Sequence, residues 1–184
     1  CRWNKSLAAP QRAAAMTRAA IRAATGPVPG PAHFEIPADM LPLDSGDTEA
    51  YQEEALGTVN SRRLAPDLAR VPELVTRLLQ AERPLILAGG GVVLAEAWPE
   101  LHELSESLSI PVATTLGGKG AISELDSELA VGVIGRYSRR VANDTVADAD
   151  MVFAVGTRFG GLATNAWQLP FQQKRILQLD ADPQ

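Results

Sequence analysis

Residues 84–91 read Pro-Leu-Ile-Leu-Ala-Gly-Gly-Gly, and they restrict what this chain can fold into more than any other stretch. Leu85, Ile86 and Leu87 are apolar without alternation, the pattern of a strand buried on both faces of a parallel sheet. Three glycines then turn the chain off the strand's carboxyl end. Having no Cβ, they let a ligand or another backbone come close to the main chain. In open α/β sheets the crevice beyond the strand ends is where ligands bind. A plain strand-to-helix turn with no ligand accounts for the same residues equally well.

The stretch sits in a regular alternation. Val71, Leu74, Val75, Leu78 and Leu79 follow helical spacing, with Pro72 suited to a first turn. After the strand at 84–88 comes a helix over about 94–108, with Leu94, Trp98, Leu101, Leu104 and Leu108 roughly on one face and His102 on the surface. Residues 111–115 predict a second strand, 139–149 a helix, 151–155 a third buried strand and 174–179 a fourth. Such alternation implies right-handed crossovers and an α/β fold: a Rossmann-like, doubly wound parallel sheet with helices on both faces.

The amino-terminal part is less complete. Residues 6–25 read as an alanine-rich helix, with Met16, Ala20, Ala23 and Ala24 on one face and Arg12, Arg18 and Arg22 elsewhere. A Gly/Pro turn at 26–31 stops it, and residues 33–36 predict a short strand in which His33 is structural. That strand has no visible partner and is expected to find one outside the chain, so the helix and strand read as the remnant of another α/β domain. Residues 38–66 are polar and broken. The expected organisation is therefore a domain end at 1–43, a linker at 44–66 and a central domain at 67–184. The acidic residues Asp47, Glu49, Glu53 and Glu54 read as a solvated face rather than a metal site.

Composition excludes several classes. A net charge of −5 in 184 residues argues against a nucleic-acid partner. No apolar run is long enough to span a membrane. The single cysteine, Cys1, fits a reducing compartment, hence the cytoplasm.

Chemistry is expected in the loops after the strands. Gly89, Gly90 and Gly91 follow the first. Thr115 offers a hydroxyl after the second, with Gly117, Gly118 and Gly120 offering unobstructed amides and Lys119 a positive charge. Gly156 and Arg158 follow the third, the guanidinium suited to gripping a phosphate. Asp180 and Asp182 follow the fourth, where an acid can accept from ribose hydroxyls. Gly132 and Gly135 form a further pair beside Arg136. Together these predict a nucleotide-type ligand. The dinucleotide fingerprint Gly-x-Gly-x-x-Gly, the phosphate-binding Gly-x-x-x-x-Gly-Lys-Ser/Thr loop and the Gly-x-Ser-x-Gly elbow are all missing.

Residues 84–92, 110–120, 132–135, 150–159 and 176–182, in that order, resemble the central domain of thiamine-diphosphate-dependent enzymes, nearest to the acetolactate synthase large subunit group. Trp3, the first helix and residues 30–39 resemble the end of that family's pyrimidine-binding domain. The resemblance implies a lyase or carboligase acting on a 2-keto acid, assembled as a homodimer or homotetramer. Thiamine diphosphate and Mg²⁺ would be held by motifs that do not occur in this sequence, so the isolated chain is expected to be inactive. It also implies FAD in the central domain, at Gly89, Gly90, Gly91, Thr115, Leu116, Gly117, Gly135, Gly156, Arg158 and Asp180. The pattern departs from the family after Arg158: Phe159 is followed by Gly160-Gly161-Leu162 where the family continues Asp-Asp-Arg, and Gly117 replaces a methionine. ADP, CoA or an empty site are the alternatives. The chain would then belong to an acyl-CoA decarboxylase, with Arg136, Arg139 and Arg140 meeting CoA phosphates, or act as a structural spacer.

Overall fold

The apolar run forms the middle strand of its sheet. The structure, a computed structural model, describes residues 1–46, 53 and 64–182. These divide into two units, Cys1–Leu64 and Ala65–Gln184. In the second unit β3 (Pro84–Ala88) has β4 (Val112–Thr114) on one side and β6 (Met151–Val155) on the other, both parallel to it. β5 (Ala130–Val133) and β7 (Arg175–Leu179) flank these, giving the parallel order β5-β4-β3-β6-β7.

Both faces of β3 are covered, which explains its unbroken apolarity. Ile86 and Ala88 join Val112 and Phe153 in a core roofed by Leu78 of α2 (Val71–Leu79), Val92 of α3 (Gly90–Leu94) and Leu101 of α4 (Trp98–Leu108). Leu85 and Leu87 face the opposite core, with Ala113, Val152, Phe171 and the Ala142 and Val146 of α5 (Arg140–Asp148). The chain winds outward from β3 through β4 to β5, then crosses back to β6 and β7. The doubly wound expectation holds.

Three local readings change. β5 falls in a stretch read as a glycine loop. Gly132, at φ +93°, interrupts the apolar pattern there, and the pairing register shifts between Val112 and Ala113. The helix expected over 94–108 begins at Trp98 as α4; Leu94 instead ends the separate α3, and Glu96 between them sits at φ +53°. The stripe on α2 is only half used: Leu78 is buried and Leu74 packs on the core, while Val71, Val75 and Leu79 are exposed.

Opposite the glycine loops, one carboxylate ties three strands together at their amino ends. Asp150 accepts from the amides of Arg83, at 2.9 Å, and Glu82, at 3.2 Å, ahead of β3, and from the guanidinium of Arg175 at the start of β7. Desolvation pushes its carboxyl upward, but these three hydrogen bonds and the charge of Arg175 prevail and hold the pKa below 3.8. Beside it, Arg83 Nε donates to Asp148 O at 2.7 Å and Lys174 Nζ to Ala149 O at 2.6 Å, satisfying carbonyls at the end of α5.

In the first unit the strand β2 (Ala32–Glu35) has a partner within the chain, contrary to expectation. β1 (Trp3–Ser6) lies parallel to it, Trp3 opposite Ala32, and Trp3 meets Phe34 edge to face at 5.9 Å. The helix α1 (Ala13–Ala24) therefore begins later than residue 6. Ala9 is extended and Pro10 opens a short 3₁₀ turn, so the stretch before it is free to form strand. His33 Nδ1 lies 2.8 Å from Asn4 Oδ1, a structural role. Residues 47–52 and 54–63, including Asp47, Glu49 and Glu54, lie outside the described residues; Glu53 pairs with Arg22 at 2.6 Å. No helix among the described residues is long and apolar enough to cross a membrane.

Candidate functional site

The strand order reverses between β3 and β6, the place where ligands bind in open α/β sheets, and the loop after β4 lies alongside. Between β3 and β6 the glycines meet one another rather than an open space. A β-carbon on Gly89 would lie 2.2 Å from Gly156 O, and one on Gly91 would lie 2.6 Å from Gly156 Cα. The amides here are also occupied: Gly89 N–H donates to Val155 O at 2.8 Å, Gly91 N–H to Gly156 O at 2.9 Å, and Gly156 N–H to Leu179 O at 2.8 Å. Gly156 sits at φ +60°, the left-handed region that glycine enters without strain. Gly89, Gly91 and Gly156 thus bring two backbones into contact.

Gly135 is committed in the same way. Its N–H donates to Asn143 Oδ1 at 2.9 Å, its carbonyl accepts from Asn143 Nδ2 at 3.2 Å, and Leu162 O lies where a β-carbon would be. Thr115, expected to offer its hydroxyl outward, is buried and caps a 3₁₀ turn by accepting from Gly118 N–H at 3.1 Å. Asp180 Oδ1 accepts from Asp182 N–H at 2.8 Å, which leaves its second oxygen open at the end of β7.

The open part of the crevice lies between β3 and β4. The amides of Gly90, Leu116 and Gly117 have no acceptor among the described residues. Gly90 and Gly117 face each other, a β-carbon on Gly90 falling 3.2 Å from Gly117 O. Leu116, Gly117 and Lys119 are exposed in the turn after β4, and Arg158 is exposed in the loop after β6. No acidic partner for Lys119 or Arg158 occurs among the described residues. Three amides without an acceptor, with Lys119 exposed in the same turn, have the chemistry to meet an anion.

Lys119 and Gly120 also border an open hollow of ≈ 750 Å³, walled by Trp98, His102, Ile122 and Leu125. That volume is within the range of small-molecule sites. The sequence reading placed Trp98 on the core face of its helix. It is 44% exposed, and Leu125 is 96% exposed. An unexplained apolar Leu in a Ser/Glu/Asp stretch was the one available signal for this wall.

The sheet is parallel with strand order 3-2-1-4-5, and the amides without an acceptor lie after its strands β3 and β4. Residues 71–184 match the sequence family described as thiamine pyrophosphate enzyme, central domain. The probable acetolactate synthase large subunit of Methanocaldococcus jannaschii is 33% identical over 98% of this chain and 30% of its own length. The glyoxylate carboligase of Escherichia coli O157:H7 is 33% identical over 84% of this chain and 26% of its own. An X-ray structure from Mycobacterium smegmatis, described as a thiamin diphosphate-dependent enzyme, superposes with TM-score 0.64 at 22% identity, covering 99% of this chain and 34% of its own, and shows the same fold. This chain belongs to the thiamine pyrophosphate enzyme family, through its central domain. It spans less than a third of the length of those relatives.

The family's cofactor is thiamine pyrophosphate, typically with Mg²⁺. Among the described residues no three His, Cys, Asp or Glu side chains gather to hold a metal ion. No catalytic step is assigned to the residues of this chain.

Proposed function

We propose that this chain is part of a thiamine-diphosphate-dependent lyase or carboligase acting on 2-keto acids, and that it supplies the nucleotide-binding central domain. The observation that supports this reading is the set of open amides at Gly90, Leu116 and Gly117, with Lys119 exposed in the same turn and Arg158 exposed in the loop after β6. A nucleotide diphosphate would lie on those amides. Its ring would lie against Trp98 and Leu125 in the adjoining hollow, and Asp180 would remain as an acceptor farther along the edge. Residues 1–43 would be the end of the pyrimidine-binding domain, 44–66 a linker and 67–184 the central domain. The assembled enzyme would be a homodimer or homotetramer in the cytoplasm, with thiamine diphosphate and Mg²⁺ bound by other parts of it.

A structural-spacer reading also has an observation in its favour, since Gly89, Gly91, Gly135 and Gly156 all serve backbone packing. Titration of this chain with FAD, ADP and CoA separates the two. Saturable binding of at least one, lost in Arg158→Ala, supports the nucleotide reading; no binding of any supports the spacer. Under either reading the chain alone turns over no pyruvate, and acetolactate formed by it would contradict this.

A further inference from the structure

Just beyond β5, one side chain holds both backbone groups of a buried glycine. Gly135 N–H donates to Asn143 Oδ1 at 2.9 Å, and Asn143 Nδ2 donates back to Gly135 O at 3.2 Å. A carboxamide suits this task because it carries a donor and an acceptor on separate atoms. Asn is a weak helix former, and here its side chain leaves α5 to bond the preceding loop. The clamp holds Gly135 at φ +91°, with Leu162 O where a β-carbon would be. The next amide, Arg136 N–H, donates to that same Leu162 O at 2.9 Å. Asn143 is thus linked through Gly135 and Arg136 to Leu162.

Leu162 belongs to the loop after β6 that carries Arg158. Ahead of Arg158 the loop is pinned: Thr157 is buried, and its carbonyl accepts from Gln178 Nε2 at 3.1 Å. Just after it, the Phe159 ring meets Phe171 edge to face at 5.2 Å. Gly160 and Gly161 follow, with open space where their side chains would be, and the Leu162 side chain is itself exposed. The bonds from Ala163 N–H and Thr164 N–H to Gly160 O fix the shape of this turn but not its place. Its attachment to the neighbouring strand is the Leu162 carbonyl. We propose that Asn143 is a positioning residue for the crevice: by clamping Gly135 it fixes Leu162 O, and with it the loop from which Arg158 extends. Asn143 itself touches no ligand. This inference rests on the nucleotide reading, in which Arg158 grips a phosphate.

Calorimetric titration of the 184-residue chain with FAD, ADP and CoA tests it. For the probe that the parent binds most tightly, Asn143→Ala should weaken binding about tenfold, the factor expected when a charged hydrogen bond is misplaced. Asp150→Asn is the control for lost stability alone. It removes a charged acceptor at the opposite end of the sheet and should leave the affinity within about twofold of the parent. In ¹⁵N spectra at saturation, the shifts at the Gly90 and Gly117 amides should persist in Asn143→Ala, while the shift at Arg158 Nε is lost. Circular dichroism checks folding. Should Asn143→Ala not fold, Asn143→Asp replaces it, keeping the acceptor for Gly135 N–H and losing only the donor. Unchanged affinity in the Asn143 variant, or equal weakening in Asp150→Asn, overturns the positioning role and leaves the nucleotide reading standing. No binding of any probe by the parent chain overturns both.

Discussion

Gly89→Ala isolates the backbone contact at the switch point. Gly89 has φ −102° and ψ −176°, a conformation alanine adopts readily, so the substitution carries no dihedral strain. Its cost is steric. The new methyl carbon would lie 2.2 Å from Gly156 O and 2.6 Å from Thr157 Cβ, the first more than 1 Å inside the 3.4 Å where ordinary contact begins. Most of what it strikes is main chain, which cannot rotate away as a side chain would. The tips of β3 and β6 must separate, and the 2.9 Å bond from Gly91 N–H to Gly156 O goes with them. Overpacking costs about 1–3 kcal/mol and the hydrogen bond about 1 more, for a total of roughly 2–4 kcal/mol. At ~4 °C per kcal/mol for a domain of this size, the melting temperature should fall by about 8–16 °C. Gly117→Ala is the control: the nearest atom to its β-carbon is 3.9 Å away, and its melting temperature should stay within about 2 °C of the parent. Thermal unfolding followed by circular dichroism measures both. A Gly89→Ala chain that melts with the parent would show that the strand tips are not in contact, and the division between packing and open glycines would fail.

At the other end of the sheet, Asp150→Asn should lower stability at pH 7 by about 1–2 kcal/mol, since two amides and a guanidinium lose their charged acceptor. The folded pKa of Asp150 is depressed, so its contribution is present above the unfolded value and is lost as the pH falls through the folded one. Urea midpoints of parent and variant should therefore converge below about pH 4, and a constant difference down to pH 2 would refute the assignment. Asn165, Ala166 and Trp167 run consecutively at φ +51°, +53° and +64°. Ala166→Gly relieves about 1–2 kcal/mol of left-handed strain and adds about 0.4–1 kcal/mol of unfolded-chain entropy, so it should stabilise modestly, by roughly 0.5–1 kcal/mol in urea unfolding. Destabilisation would show that Ala166 Cβ makes a contact worth more than the strain.

The buried strands were legible because burial on both faces leaves a contiguous apolar run, as in Leu85–Ile86–Leu87 and Val152–Phe153–Ala154. β1 and β5 were not. The first is polar and mostly exposed, Trp3-Asn4-Lys5-Ser6, and the second is broken by Gly132, so neither shows a period. At the site, glycine composition marked the right loops but did not distinguish their roles. Gly89 and Gly90 are neighbours in sequence, yet one is pressed on Gly156 and the other faces Gly117 with its amide unbonded. That difference depends on which neighbouring loop each glycine meets, the one after β6 or the one after β4, which no local pattern encodes.

Backbone amide resonances of the ¹⁵N-labelled chain, followed while ADP is added, test the central claim most directly. The account predicts saturable shifts at Gly90, Leu116 and Gly117, with smaller ones at Lys119 and Arg158, and little movement at Gly89 or Gly91, whose N–H groups are already bonded. Shifts confined to other surfaces, or none at millimolar ADP, would contradict it.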